Sequence, residues 1–223
     1  MDAEVSCGAV LARHARLGDE VYIMATTAGE KGNPYMEPEE YKKQKLAEAK
    51  IMAEKLGAKE TICLDYPDGE LEVNREVQLR IVDEIRRIQP DVVITHWNKA
   101  THPDHLNTAL NVETAVQLCS SKWLKTRYPA MPHGVRLFYA ENWEDPTDFQ
   151  PNVVIKLEEE DIRIWQEAIR ECEVIRGGTI TNFKFAEFYL HQARCRGMTN
   201  YCEYAQCFYT NLKVKRDKLF LGV

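Results

Sequence analysis

The chain has 223 residues, of which 44% are hydrophobic and 29% charged, and its formal net charge is −6. This acidic balance argues against a general nucleic-acid-binding protein, whose binding surface is usually basic. We expect no membrane-spanning helix, because no run of about 18 apolar residues occurs. The first ten residues lack the pattern of a signal peptide, and the cysteines number seven, an odd count. We therefore expect reduced thiols and a cytoplasmic protein.

Hydrophobic periodicity in the first half of the chain alternates between the helical and the extended pattern. Gly18 and Gly57 suit the left-handed position past a helix end, and Pro90 stops the third helix. The nearly all-apolar run at 91–96 is typical of a strand covered on both faces. This alternation favours right-handed strand–helix–strand units and an open parallel sheet. The predicted elements are helices over 3–17, 38–56, 74–88 and about 105–119, and strands over 20–26, 61–65 and 91–96.

The second half of the chain is less regular. We predict strands over 135–140 and 152–157, a helix over 160–176 and another near 186–195. No internal repeat or flexible linker divides the chain, so we expect a single domain over 1–223. A doubly wound sheet normally begins with a central strand, whereas this chain begins with a helix. Either the fold differs from that pattern or the first strand is missing.

The densest polar cluster is THWNKATHPDH, residues 95–105, at the end of the last apolar strand of the first half. In open α/β sheets the ligand crevice lies at the carboxyl ends of the strands. Three histidines, His96, His102 and His105, offer imidazole nitrogens suited to zinc, and Asp104 is able to orient one of them. A polar loop in which Asp104 caps a helix, with no metal, explains the same residues equally well.

The start of the chain, MDAEVSCG, places two acidic residues, Asp2 and Glu4, at a helix entry. Carboxylates in a first turn compensate the helix dipole, and this explanation is sufficient for both. The functional alternative is that Asp2 faces the same crevice as the histidines. Its carboxylate then supplies an oxygen ligand to a metal.

Several segments of the chain together resemble one protein family. THPDH in its strand-end context and DAEVSCGAVLARHARLGDEV at the front look like the LmbE/PIG-L zinc-dependent de-N-acetylases. The resemblance implies an α/β, Rossmann-like, mostly parallel sheet with helices on both faces. It also implies hydrolysis of the N-acetyl group of N-acetylglucosamine conjugates or related small glycosides. Further matching segments, in order along the chain, are TTAGEKGNP, KLAEAKIMAEKLGAKE, LDYPDGEL, ENWEDP and ARCRGMTNYCEYAQCF.

The resemblance carries functional roles onto individual residues. Asp2 and His105 match zinc ligands of the family. His102 matches the histidine that supports the oxyanion or protonates the leaving amine, and Asp104 matches the acid beside it. The family's first motif is His-Pro-Asp-Asp; here Met1 stands where its general base would be, and its zinc-binding histidine would fall two residues earlier. The resemblance therefore predicts a site with two zinc ligands and no base, which binds zinc poorly.

Four further residues are candidates for substrate contact. Glu30 and Lys31 follow a strand end, where a simple turn is the alternative. Lys45 stands where many relatives have an arginine facing the substrate, although its helix is charged enough for a solvated face. Trp97, beside the histidines, suits stacking on a sugar ring or packing in the core.

Two functional hypotheses stay open at this point. The first is a zinc-dependent amide hydrolase whose true start lies upstream of Met1. The second is a catalytically silent relative that binds a sugar conjugate or a partner protein through the same crevice. A nucleotide-binding domain is disfavoured, because no GxGxxG follows a strand. The resemblance favours a homo-oligomer, and the basic stretch 213–218 is interpreted as a solvated terminal element.

Overall fold

A computed structural model describes residues 1–145, 147–177 and 180–213. All but the first residue of the basic stretch 213–218 lie outside this part of the chain. None of the described helices is both long and apolar enough to cross a lipid bilayer. The helices are α1 (Asp2–Arg16), α2 (Pro38–Lys55), α3 (Arg75–Ile88), α4 (Pro103–Leu118), α5 (Glu159–Ile169), α6 (Glu173–Arg176) and α7 (Phe185–Thr199). The strands are β1 (Tyr22–Thr27), β2 (Glu60–Tyr66), β3 (Val92–Thr95), β4 (Arg136–Ala140), β5 (Val153–Leu157) and β6 (Tyr204–Tyr209).

The strands of the described residues form two sheets. β1 and β2 pair in parallel, with Tyr22 opposite Glu60. β3 pairs in parallel with β4, with Val92 opposite Arg136. β6 then runs antiparallel between β4 and β5. The predicted α/β fold is confirmed, but two of the three pairings in the larger sheet are antiparallel because β6, which the periodicity did not predict, enters between β4 and β5.

The free edges of β1 and β3 border one cavity. All residues of both strands line this cavity, whose volume is about 1050 Å³. Val93 and Ile94 point to opposite faces of β3, and each packs against a hydrophobic core, as predicted for a strand covered on both faces. Val92, at the start of the strand, is 39% exposed. Among the described strands, β3 has a paired neighbour on one side alone. The two parallel pairs therefore flank the place at which a continuous sheet would hold another strand.

Helices pack in two groups, each with its own hydrophobic core. The first core joins α1, α2, α5 and α7 to the inward side chains of β5 and β6, with Trp165 at its centre. The second joins α3 and α4 to β2, around Ile81 and Leu64. This distribution follows from the helical spacing of apolar residues, which gives each helix one buried stripe.

Helix α1 is held tightly against α5. A Cβ atom at Gly8 would lie 2.5 Å from Cδ1 of Trp165, so only glycine permits this approach. The indole of Trp165 donates a hydrogen bond to the carbonyl of Glu4 at 3.0 Å. Arg13 pairs with the buried carboxylate of Asp161 at 3.1 Å. These contacts fix the position of the first turn of α1.

The helix predicted over 160–176 is two helices. α5 ends at Ile169 and α6 begins at Glu173. Cys172 lies between them with extended backbone angles, φ −86° and ψ 125°, which no continuous helix contains. The interruption brings Cys172 into the first core, where its side chain is fully buried.

Candidate metal centre and active site

Three side chains from distant parts of the chain meet at one end of the cavity. Asp2 begins α1, His96 directly follows β3, and His105 lies in the first turn of α4. One potential ligand atom from each residue lies within 4.8 Å of the other two. Strand β3 and the start of α4 are joined by a short loop, so the chain itself places two imidazoles beside each other. The packing of α1 against α5 brings the carboxylate to them.

The geometry and charge of these three groups suit a divalent metal. The Nε2 atom of His105 lies 3.7 Å from Oδ2 of Asp2. Burial, together with the nearby His105, lowers the pKa of His96 to about 3, so this imidazole is neutral at neutral pH. Metal ligation requires a neutral imidazole and an ionised carboxylate. Two imidazoles and one carboxylate form the three-ligand set of a catalytic zinc site that keeps an open position.

An unpartnered buried atom also fits a metal at this site. The Nδ1 atom of His105 is buried and forms no hydrogen bond with any of the described residues. The nearest acidic oxygen is Oε1 of Glu144, 3.3 Å away. An imidazole that binds a metal through Nε2 carries its proton on Nδ1 and directs it to a carboxylate or carbonyl. The residues present therefore fit a zinc ion.

His102 stands beside this cluster at the entry of α4. It is the N-cap residue of the helix, and its Nδ1 accepts a hydrogen bond from the backbone N–H of Asp104 at 3.2 Å. The proton of the neutral ring is therefore assigned to Nε2. The ring lies 4.7 Å from that of His105, and His102 lines the cavity. A histidine in this state offers a hydrogen-bond donor to a molecule in the cavity.

Asp104 forms hydrogen bonds with the loop after β2. It is 5% exposed. Its Oδ2 accepts a hydrogen bond from the N–H of Gly69 at 2.7 Å, and its Oδ1 accepts one from the N–H of Leu71 at 3.3 Å. Asp104 therefore holds the loop after β2 against the start of α4. Asp104 also lines the cavity, and the direct catalytic role expected of it stays a prediction.

The comparison with known protein families decides the membership of the chain. The PIG-L model, described as GlcNAc-PI de-N-acetylase, matches residues 2–116. The chain belongs to the PIG-L family. The matched range includes all the residues just described except Glu144, and the family resemblance found in the sequence is confirmed.

Among curated proteins, the diacetylchitobiose deacetylase of Thermococcus kodakarensis is 33% identical over 109 residues, which cover 47% of this chain and 41% of that protein. A conserved protein of Thermus thermophilus has a solved structure that is 26% identical, with a TM-score of 0.79, covering 99% of this chain and 94% of its own. The structure of 4-carboxy-2-hydroxymuconate hydratase from Pseudomonas putida is 19% identical, with a TM-score of 0.85, covering 98% of this chain and 95% of its own. This last likeness concerns the fold alone.

Glu30 and Lys31 lie in the loop after β1 and contact the loop after β2. Glu30 Oε1 accepts a hydrogen bond from the N–H of Asp68 at 2.8 Å. Lys31 pairs with Glu70 at 2.5 Å, and its backbone N–H donates to Oδ2 of Asp68 at 3.1 Å. Both residues thus brace the loop that carries Asp68, a cavity-lining carboxylate. Burial raises the pKa of Asp68 above its usual value, although the bond from Lys31 opposes the shift.

Lys45 is enclosed in the protein and does not face a substrate. It is 8% exposed. Its Nζ lies 3.3 Å from Sγ of Cys172, 3.4 Å from Sδ of Met1 and 3.6 Å from Oε2 of Glu48. Both the substrate-facing and the solvated-face interpretations of Lys45 are therefore wrong. The cause is α5 and the segment after it, which pack over this face of α2.

Trp97 is a core residue. It is 4% exposed, and its Nε1 donates to the carbonyl of Thr147 at 2.9 Å. Its ring meets those of Tyr139, Phe149 and Tyr209 edge to face, at 5.2 to 5.6 Å between centroids. The prediction that it stacks on a sugar ring is corrected, because the side chain points away from the histidine cluster into this aromatic group.

Two residues of the site received no role from the family resemblance. His96, at a strand end, was one of the three histidines whose imidazole nitrogens the sequence offered to zinc. Glu144 lies far along the chain in ENWEDP. It reaches the site because β3 and β4 are neighbours, so their carboxyl ends meet. Beside the two ligands that the resemblance implied within the chain, Asp2 and His105, the structure places a third potential donor, His96.

Proposed function

We propose that this protein is a zinc-dependent N-deacetylase that hydrolyses the N-acetyl group of an N-acetylglucosamine-type conjugate. The observation that carries the proposal is the cluster of Asp2, His96 and His105 beside His102 at one end of a large cavity. The PIG-L membership and the deacetylase from Thermococcus kodakarensis support the same reaction. All seven cysteines are free, which supports action in a reducing compartment such as the cytoplasm.

Asp2, His96 and His105 would hold the zinc ion. When bound, zinc polarises an acetyl carbonyl and acidifies water. The chain contributes a carboxylate fixed by the first turn of α1 and two imidazoles fixed by β3 and α4. Because the three groups belong to well-packed elements, the site does not have to be ordered at the moment of reaction, and this preorganisation favours catalysis.

His102 has the role of hydrogen-bond donor to the oxyanion in the proposed reaction. Hydrolysis adds water to the acetyl carbon, breaks the C–N bond, and yields acetate and a free amine. Negative charge develops on the acetyl oxygen, and the proton that the departing nitrogen needs comes from the attacking water. The backbone N–H of Asp104 occupies Nδ1 of His102, so the ring is neutral and its Nε2–H is the group left to donate a hydrogen bond.

The loop after β2 supplies the sugar-binding side of the proposed site. Asp68 lines the cavity, and its Oδ2 is held by the N–H of Lys31. Its carboxylate keeps acceptor capacity for a sugar hydroxyl. Asp104 and Glu30 position this loop through its backbone N–H groups. Asp104 thus links the sugar-binding loop to His102, because its own backbone N–H donates to the Nδ1 atom of that histidine.

The proposal is tested by zinc analysis and by acetate release from N-acetylglucosamine and N,N′-diacetylchitobiose. We expect about one zinc per chain and zinc-dependent acetate release. Both are lost in His105→Ala. His133→Ala is the matched control, since His133 is exposed and lies outside the cavity lining, and it retains both. Zinc and sugar binding without acetate release would overturn the proposed reaction in favour of a silent sugar-binding relative.

A further inference from the structure

The carboxylate of Glu144 lies beside the edge of the His105 ring that carries Nδ1. The Oε1 atom of Glu144 is 3.3 Å from Nδ1 of His105, whereas the other ring nitrogen, Nε2, is 3.7 Å from Oδ2 of Asp2. The imidazole therefore stands between two carboxylates, one at each nitrogen. Nε2 is the nitrogen that faces Asp2 of the proposed metal cluster.

His105 needs an acceptor at Nδ1 if Nε2 binds a metal. A neutral imidazole has one protonated nitrogen, so ligation through Nε2 places the proton on Nδ1. This atom is buried and has no other hydrogen-bond partner among the described residues. Among the described residues, Glu144 is the acidic group that lies within reach of this atom, at 3.3 Å.

The segment that carries Glu144 is itself anchored. Thr101 donates through Oγ1 to the carbonyl of Glu144 at 3.2 Å, and its N–H donates to Oδ1 of Asp145 at 2.7 Å. Asn142 donates to Oδ2 of Asp145 at 3.3 Å and accepts from the hydroxyl of Tyr189 at 2.5 Å. Asn142 and Asp145 are both buried. The loop before α4 and the segment after β4 thus hold each other in register around His105.

We propose that Glu144 is a positioning residue of the metal centre, which accepts the Nδ1 proton of His105 and so fixes the tautomer and ring orientation that present Nε2 to zinc. A carboxylate in this position orients a ligating histidine and strengthens its binding to the metal. The inference rests on the proposed metal site but not on the identity of the substrate. It assigns a function to a residue outside the range matched by the family model.

The test compares Glu144→Gln, Glu144→Ala and the control Glu141→Gln in the full chain. Glu141 lies three positions earlier and pairs with Arg196 instead of His105. Zinc affinity is measured by competition with a chromophoric chelator, and thermal unfolding confirms that each variant is folded. We expect Glu144→Ala to weaken zinc binding about 10–100-fold. Glu144→Gln keeps a side-chain oxygen that accepts the same proton, so it stays close to wild type, as does Glu141→Gln.

A second readout follows the tautomer directly. In the metal-free protein, the histidine ¹⁵N shifts report which ring nitrogen of His105 carries the proton. We expect the Nδ1–H form in wild type and in Glu144→Gln, and a mixture in Glu144→Ala. Wild-type zinc affinity and an unchanged tautomer in a folded Glu144→Ala would overturn the inference, as would an equal loss of affinity in Glu144→Gln. Zinc binding that depends on Glu144 without acetate release would overturn the proposed reaction alone.

Discussion

The imidazole rings of His96 and His105 lie face to face, with their centroids 4.1 Å apart and 7° between their planes. Two cationic imidazoles in this arrangement would repel each other, and burial together with His105 keeps His96 neutral. The stack is therefore suited to two neutral nitrogens that share one metal with Asp2. His102 is not part of this stack, because its ring is tilted 34° to that of His105.

The first prediction concerns the ligand set. His96→Ala is expected to reduce zinc affinity as strongly as His105→Ala, because both remove one of three donors and a divalent metal held by two is bound weakly. Isothermal titration of zinc into the metal-free proteins measures this loss, with His133→Ala as the unaffected control. Wild-type affinity in His96→Ala would show that this histidine is not a ligand.

The second prediction concerns His102. In the active protein, His102→Ala is expected to lower kcat on the order of a hundredfold or more while KM changes little. Its partner is a charge that develops in the transition state, and a loss of this kind appears in kcat and kcat/KM together. Zinc content stays at the wild-type level because His102 is not in the ligand cluster. Normal turnover with weaker substrate binding would reduce His102 to a substrate-positioning role.

The third prediction distinguishes a structural from a chemical role for Asp104. Asp104→Ala leaves the N–H groups of Gly69 and Leu71 without their acceptor, and each buried unpaired donor costs about 1–3 kcal/mol. We expect a lower free energy of unfolding in urea and a smaller loss in Asp104→Asn, which retains one acceptor oxygen. An Asp104→Ala protein that is inactive but as stable as wild type would support the direct catalytic role.

The fourth prediction concerns the packing of α1 that brings Asp2 to the site. Gly8→Ala introduces a Cβ atom 2.5 Å from the indole of Trp165. The overpacked helix pair is expected to lose about 1–3 kcal/mol, which lowers Tm by several degrees. Gly134→Ala is the control, since a Cβ atom there meets nothing within 4 Å. Equal Tm values for the two variants would show that α1 and α5 are free to separate.

The fifth prediction concerns the gap between β1 and β3. A strand-forming segment of about six β-branched residues, fused ahead of Met1, is expected to raise Tm by several degrees, because it supplies hydrogen bonds to two unpaired edges and covers apolar side chains. A Gly/Ser segment of the same length is the control, since it has little tendency to form a strand. The same thermal transition for both fusions would indicate that these edges do not accept a strand.

Local sequence determined the helices and strands in the first half of the chain. It also determined part of the proposed site. Helices α1 to α4 and strands β1 to β3 follow from periodicity, glycine and proline positions, and they lie within a few residues of their predicted bounds. His102 and His105 share one turn at the start of α4, so their proximity needs no long-range contact. Asp2, as a candidate oxygen ligand, was indicated by the family resemblance.

Tertiary structure decided which side chains share a surface. Lys45 and Trp97 carry chemically suitable groups, but α5 and an aromatic group enclose them. Glu144 meets His105 because β3 and β4 are neighbours. Strand β6 was not predicted because its pairing depends on strands far away in the chain. Hydrophobic periodicity predicts which face of a helix or strand is buried, but it does not predict which element packs against that face. Long-range packing between distant segments decides this, and no single segment contains that information.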